Sequence, residues 1–296
     1  MASSLPTAEV AVGDFYSTPM PLPDVAAGAI IRTEPAHLAL SVPGQPEMIP
    51  ASATRIMYRS NDTHDEPSAV VGTYLEPAAP WTGPGERPLV AFAGGSKGQG
   101  DQCAPSKLLT KLVDVQPPMD VMVEFDVLAL YALLARGMAV VMTDYQGLGT
   151  PAVHDFLNRK SQGYAVLDAA RAASALPGNG IGAGAPVMLY GYSQGGSATG
   201  AAAELQLGNQ APAVPVLVAS SRNDDVPPYG TVRSTVEQWC AAGATVELDA
   251  DLPMPAIAGT APDHVVSFFP ALEGSQRWMV DRLAGHPAPT NCPRLP

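Results

Sequence analysis

The chain has 296 residues, 46% hydrophobic and 15% charged, with a formal net charge of -12. This is a globular composition with length for one sizeable core, which excludes a disordered chain. The acidic balance excludes nucleic acid, whose binding needs a Lys/Arg footprint, and docking on anionic membranes, and it favours a neutral substrate.

Residues 1–28 are rich in Pro, Ala and Ser and read as an extended N-terminal arm, with residues 29–296 as a single domain. Residues 29–33, 54–59 and 69–74 are alternating or β-branched runs and read as antiparallel strands. A Pro- and Gly-rich loop, 77–88, follows. The pattern then changes. Short apolar runs at 89–93, 138–143, 186–191, 214–219 and 245–248 alternate with helical spacing. The predicted helices cover 122–135, 164–176, an Ala-rich stretch to about Leu207, 232–241 and 276–283. Such alternation predicts an α/β fold with a central, mostly parallel sheet covered on both faces.

No apolar run approaches the ~18 residues of a membrane span, so no integral membrane segment is expected. The opening lacks a basic region followed by an apolar stretch. We read a mature secreted chain from which the signal peptide is absent. The three cysteines are Cys103, Cys240 and Cys292. Their spacing matches no zinc motif, and no metal or cofactor is expected. Cys240 and Cys292 are the expected disulfide, which would tie the C-terminal tail to a late helix.

Gly191-Tyr192-Ser193-Gln194-Gly195 is a G-x-S-x-G pentapeptide. The apolar run Val187-Met188-Leu189-Tyr190 leads in and small residues lead out. A serine on a strained strand-to-helix turn projects its hydroxyl above the sheet, and this is the nucleophile elbow of the α/β-hydrolase fold. The helix N-terminus behind it offers unpaired N–H groups to a developing oxyanion. A serine hydroxyl needs a general base, and the base an orienting acid. In this fold they follow the serine in the order acid, then histidine. That order sets aside His37, His64 and His154. Of the remaining two, His264 is favoured over His286 because it lies between the last predicted strand and the last predicted helix. The acid belongs in the loop after 214–219, where Asp224 is favoured over its neighbour Asp225. The oxyanion donors are expected to be the backbone N–H groups of Gln194 and of Gly95 or Ser96. Asp144 and Tyr145 end a strand at the same edge, where a structural role in holding the turn is favoured over one in shaping the cleft, and Tyr145 and Tyr192 are the candidates to line the cleft. Asp168 and Arg171, three apart on a helix, read as a surface pair.

Several separated blocks resemble the secretory lipase family, which includes the fungal lipase A type and many actinobacterial members. They are Gly98-Gln99-Gly100-Asp101-Gln102-Cys103-Ala104-Pro105-Ser106, Thr143-Asp144-Tyr145-Gln146-Gly147-Leu148-Gly149, Val166-Leu167-Asp168-Ala169-Ala170-Arg171-Ala172, the elbow, Asp224-Asp225-Val226-Pro227, and Trp278 with Asp281-Arg282. The resemblance implies an esterase or triacylglycerol lipase-like enzyme with Ser193, Asp224 and His264 as its triad. It also implies a helical cap between nucleophile and acid. Only residues 194–223 lie there, so the cap is expected to be missing and the cleft open.

The expected function is hydrolysis of short- and medium-chain carboxylic esters through an acyl-enzyme by a lidless monomer. An open cleft also admits a polymeric ester substrate, as in a cutinase-like polyester hydrolase. Acyl transfer to an alcohol is a further alternative. A catalytically decayed binding module would predict an incomplete triad.

Overall fold

The computed structural model describes residues 14–39, 51–205, 211–252 and 262–296. Three strands open it: β1 (Ile30–Ala36), β2 (Ala51–Asn61) and β3 (Pro67–Pro77), an antiparallel meander. The β2–β3 register runs from Ala51↔Pro77 to Asn61↔Pro67. Asp62 sets the turn between them, its carboxylate accepting from His64 N at 2.7 Å and Glu66 N at 2.9 Å. β4 (Leu89–Ala93) is followed by a short 3-10 turn, Asp101–Cys103, and α1 (Pro105–Leu108). β5 (Val113–Gln116) and β6 (Asp120–Val123) form a separate hairpin. Then come α2 (Val127–Leu134), β7 (Ala139–Thr143), α3 (Arg159–Ala175), β8 (Val187–Gly191), α4 (Gln194–Leu205) and β9 (Val216–Ala219). α5 (Tyr229–Ala241), β10 (Val246–Asp249) and α6 (Pro262–Leu283) complete the order.

The main sheet runs β1-β2-β3-β7-β4-β8. β7, β4 and β8 are parallel, and β3 joins β7 antiparallel. The sheet is α/β with a mixed pattern, since the antiparallel meander is as extensive as the parallel half. β9 and β10 form a second, two-stranded parallel sheet.

Why 89–93 and 138–143 carry no polar residue until Thr143 is clear from the two faces. Leu89, Ala91 and Ala93 of β4 and Ala139 and Val141 of β7 pack with alanines of α3 and α4. Val90, Phe92, Val140 and Met142 point the other way, against Leu130 and Leu133 of α2 and Phe268 and Met279 of α6. Both faces of each strand are therefore buried, and continuous apolar runs are what a doubly covered strand requires. Each fully buried Leu or Phe contributes about 1.5–3 kcal/mol of transfer free energy.

Three local expectations differ from the structure. The helix predicted from 122 begins at Val127, and residues 120–123 are β6. Within it Met122 is buried between exposed Val121 and Val123, 58%, 5% and 45% exposed in chain order, as side chains pointing to opposite faces of a strand require. The last helix starts at Pro262, not 276, and runs through Pro270. Asp168 is buried, not part of a surface pair: it accepts from Ser60 Oγ at 2.8 Å as well as from the exposed Arg171.

The disulfide joins Cys240 at the end of α5 to Cys292, 52 residues later. Asn291 secures the same tail by donating to Leu248 O at 2.8 Å and accepting from Leu248 N at 2.9 Å. Cys103 is a buried free thiol.

Candidate active site

The segments after β4, β7, β8 and β9 all leave the C-terminal ends of parallel strands, where a site on such a sheet is built. After β8 the chain turns at Ser193, whose φ of +58° is a region that residues with a Cβ rarely adopt. The turn is closed by Gly195 N on Tyr192 O at 2.9 Å and Ser197 N on Ser193 O at 3.2 Å. The two flanking glycines are required sterically. A Cβ on Gly191 would lie 2.1 Å from Gly195 O, and one on Gly195 would lie 1.8 Å from Ala93 O. The elbow is thus wedged against the end of β4.

Ser193 Oγ is 2.8 Å from His264 Nε2, and His264 Nδ1 is 2.9 Å from Asp224 Oδ2. An ionised carboxylate only accepts, so Nδ1 carries the hydrogen and Nε2 accepts from the serine hydroxyl. A hydroxyl so arranged can lose its proton to the imidazole as it attacks. His264 sits in the first turn of α6, not in the loop expected before it. Tyr192 fixes it from below, donating its hydroxyl to His264 O at 2.6 Å and stacking on the imidazole with centroids 5.3 Å apart. Phe268, one turn along α6, packs edge-on to Tyr192. Asp224 is held in turn. Its Oδ1 accepts from Val226 N at 2.8 Å, and its carbonyl from Tyr229 N at 3.1 Å, which ties the loop to α5. Asp225 pairs instead with Pro228 through the backbone, its Oδ1 buried without a partner. His286 lies at the surface beside Asp281, away from these groups.

The loop after β4 is held by side chains from elsewhere. Tyr145 donates its hydroxyl to Gly94 O at 2.6 Å. Tyr145 is only 2% exposed, so it supports this loop, in line with the structural role favoured for it, and the alternative of lining the cleft does not hold. Gly95 N donates to Asp126 Oδ2 at 2.9 Å. Of the two backbone donors expected here, Gly95 is therefore already engaged, and Ser96 remains. Across the cleft, the N–H of Gln194 opens α4, a position with no intrahelical acceptor.

Asp126 also binds Lys97, whose ammonium lies 2.8 Å from Glu124 Oε1. All three side chains are at most 1% exposed. Burial pushes Glu124 up to about 7, against the pull of Lys97 and with the repulsion of Asp126. Burial likewise raises Asp126, partly offset by Lys97. For Lys97, burial disfavours the charge, but the two carboxylates outweigh it and its pKa is raised.

Sequence reasoning did not find Lys97, Glu124, Asp126 or His154. The one available signal for the carboxylates was their presence, two apart, in the apolar stretch Val121 to Leu134. His154 was set aside by chain order, yet its Nδ1 is 2.8 Å from Gln146 O and its Nε2 3.5 Å from the Gln194 side chain. Among the described residues no His/Cys/Asp/Glu cluster could hold a metal, and no helix is long and apolar enough to cross a membrane.

The sequence pattern of the secretory lipase family matches residues 115–212 and 206–291. A protein of Mycobacterium tuberculosis named a probable inactive lipase is 29% identical over 197 residues, 64% of this chain and 40% of its own. Lipase 10 of Candida albicans is 30% identical over 196 residues, 65% of this chain and 39% of its own. The chain thus spans about two fifths of the length of the curated relatives it matches. Among solved structures, Candida antarctica lipase A in its closed state superposes with a TM-score of 0.73 at 17% identity, covering 93% of this chain and 88% of its own. The rice cell wall degrading esterase LipA of Xanthomonas oryzae gives 0.61 at 16% identity, covering 88% and 100%. These likenesses show the α/β-hydrolase fold, and the matched pattern, over more than half its length, shows the lineage: the chain belongs to the secretory lipase family.

Proposed function

We propose that this protein hydrolyses carboxylic esters through an acyl-enzyme on Ser193. The observation that carries the reading is the hydrogen-bonded chain from Ser193 Oγ through His264 to Asp224 Oδ2, with the serine on a positive-φ turn. As Oγ attacks the ester carbonyl, Nε2 of His264 takes its proton, and Asp224 holds the ring and stabilises the imidazolium. The carbonyl oxygen, now anionic, receives backbone N–H groups at the start of α4 and in the loop after β4. Collapse expels the alcohol, protonated by His264. A water deprotonated by the same imidazole then releases the acid and restores the serine.

The cleft in this reading lacks a cap. α4 ends at Leu205 and β9 begins at Val216, so residues 206–215 alone connect them. The two family matches also meet there, between 206 and 212. An open cleft favours short and medium acyl chains, and release of acid from a series of nitrophenyl esters of rising acyl length would show a fall beyond medium chains. The reading also puts the protein in an oxidising, extracytoplasmic setting, which the Cys240–Cys292 bridge supports.

One relative is named inactive, but this chain keeps all three groups in contact, which argues against a decayed binding module. The test is covalent labelling by a fluorophosphonate. Wild type should label and turn over esters. Ser193→Ala should lose the label and about 10³-fold or more in kcat while keeping its thermal unfolding midpoint. Equal labelling of both proteins would defeat the assignment.

A further inference from the structure

The buried cluster Lys97, Glu124 and Asp126 plays no part in the proton transfers just described, and its composition calls for a reason. Burying ion pairs is costly, and a packed apolar cluster would serve stability as well. What the cluster does that apolar side chains cannot is accept a backbone hydrogen bond with a fixed carboxylate oxygen. Asp126 Oδ2 takes the Gly95 N–H at 2.9 Å and the Lys97 ammonium on the same atom. Lys97 is fixed in turn by Glu124 at 2.8 Å and by the Phe125 ring, 4.9 Å from Nζ to the centroid.

The held peptide lies against the elbow. A Cβ on Gly195 would lie 1.8 Å from Ala93 O and 3.1 Å from Gly94 O, and one on Gly95 would lie 3.2 Å from the Tyr192 ring. A shift of Gly95 is therefore felt at the nucleophile's turn and at the tyrosine under His264. With the Gly95 N–H committed to Asp126, the next N–H of this irregular loop, that of Ser96, is the donor left for a substrate oxygen.

We propose that Asp126 is a positioning residue for the oxyanion site: it holds the Gly95 N–H, so that Ser96 N–H and Gln194 N–H, and not Gly95 N–H, face the tetrahedral oxygen. The proposal rests on the serine-hydrolase reading above. Lys97 and Glu124 hold the carboxylate in register and never meet the substrate.

Phenylboronic acid tests it in the wild-type protein, since the Ser193 oxygen adds to boron and gives a stable tetrahedral adduct. In amide-proton spectra the Ser96 and Gln194 signals should move downfield on adduct formation, while Gly95 stays in place and protected from exchange. In parallel, Asp126→Ala should lower kcat about 100-fold with KM within about threefold. Asp126→Asn, whose amide oxygen can accept both donors, should recover about tenfold or more of that loss. A loss confined to KM, or to thermal stability with kcat intact, would overturn the proposal. If Asp126→Ala does not fold, the adduct spectra decide alone, and movement of Gly95 with Ser96 unmoved counts against it. Absence of any Ser193 adduct together with absence of Ser193-dependent turnover removes the hydrolase reading and this proposal with it. An adduct with the wrong amide shifted removes only the proposal.

Discussion

The turn after β8 and the loop after β4 meet at the same point, yet they are held in different ways. The elbow is fixed by its own backbone: two glycines that admit no Cβ, and a serine held at φ +58° between a strand and a helix. The loop is fixed by side chains remote in sequence, Tyr145 on Gly94 O and Asp126 on Gly95 N. Local sterics therefore specify the turn at Ser193, and long-range polar contacts specify the loop it meets. The first kind of constraint is written in five adjacent residues, and the second is spread over fifty.

The elbow half of the comparison breaks most sharply at Gly195. An added methyl would overlap Ala93 O at 1.8 Å, and a backbone oxygen has no rotamer by which to withdraw. Gly195→Ala should lose folding outright or lower ester turnover by about 10²-fold or more, since small displacements of a reacting group are that costly. Gly196→Ala is the matched control. Its methyl would meet only Gly191 O, at 3.8 Å, on an exposed helical position. That variant should keep turnover within about threefold and gain up to about 1 kcal/mol from helix propensity. Thermal unfolding and ester kinetics on the pair would show whether steric exclusion, not glycine flexibility, governs this turn.

This difference also explains what was legible beforehand. Ser193 and the strand and helix around it were readable because the motif and its context are contiguous. Leu89–Ala93 was readable because both its faces are buried, leaving an unbroken apolar run. The stretch from 122 was misread because Met122, Phe125 and Leu130 also suit a helical spacing, and only pairing with 113–116 makes 120–123 a strand. The start of α6 was missed because Pro262 and Pro270 look like breakers, although proline is tolerated in a first turn. Lys97 and Asp126 are 29 residues apart, and no local pattern couples an ammonium in a glycine-rich loop to a carboxylate at the head of α2.

The side-chain half predicts a dependence on pH through Asp144, which precedes Tyr145. Asp144 is fully buried, accepts from Ser106 N at 2.8 Å and from Ser106 Oγ, and through Ser106 meets the Tyr16 hydroxyl. Burial raises its pKa from 3.8 to about 7, the Ser106 bonds opposing. The folded state thus holds this proton more tightly than the unfolded chain does. Its stabilising contribution is full below about pH 4 and is lost as pH rises to about 7, an effect at most on the order of 4 kcal/mol. Asp144→Asn removes that slope. The unfolding midpoint of the wild type relative to Asp144→Asn should be higher at pH 5 than at pH 8. A difference independent of pH would mean that Asp144 does not change its protonation in the folded protein between pH 5 and pH 8.

The smallest change asks whether the two braces of the β4 loop act separately. Tyr145→Phe deletes one hydroxyl and leaves Gly94 O without its donor in a buried setting, at a cost of about 1–2 kcal/mol. Gly94 O and the Gly95 N–H are the two ends of one planar peptide, so losing the Tyr145 bond leaves that peptide still held through its N–H by Asp126. The loop should then loosen without turning over. We expect kcat to fall by less than about tenfold, KM to be unchanged, and the unfolding midpoint to drop by a few degrees. A fall in kcat as large as that of Asp126→Ala would show instead that the loop moves as one rigid piece. Gly94 O would then matter as much as Gly95 N, because the peptide facing the elbow can keep its direction only when both of its ends are held.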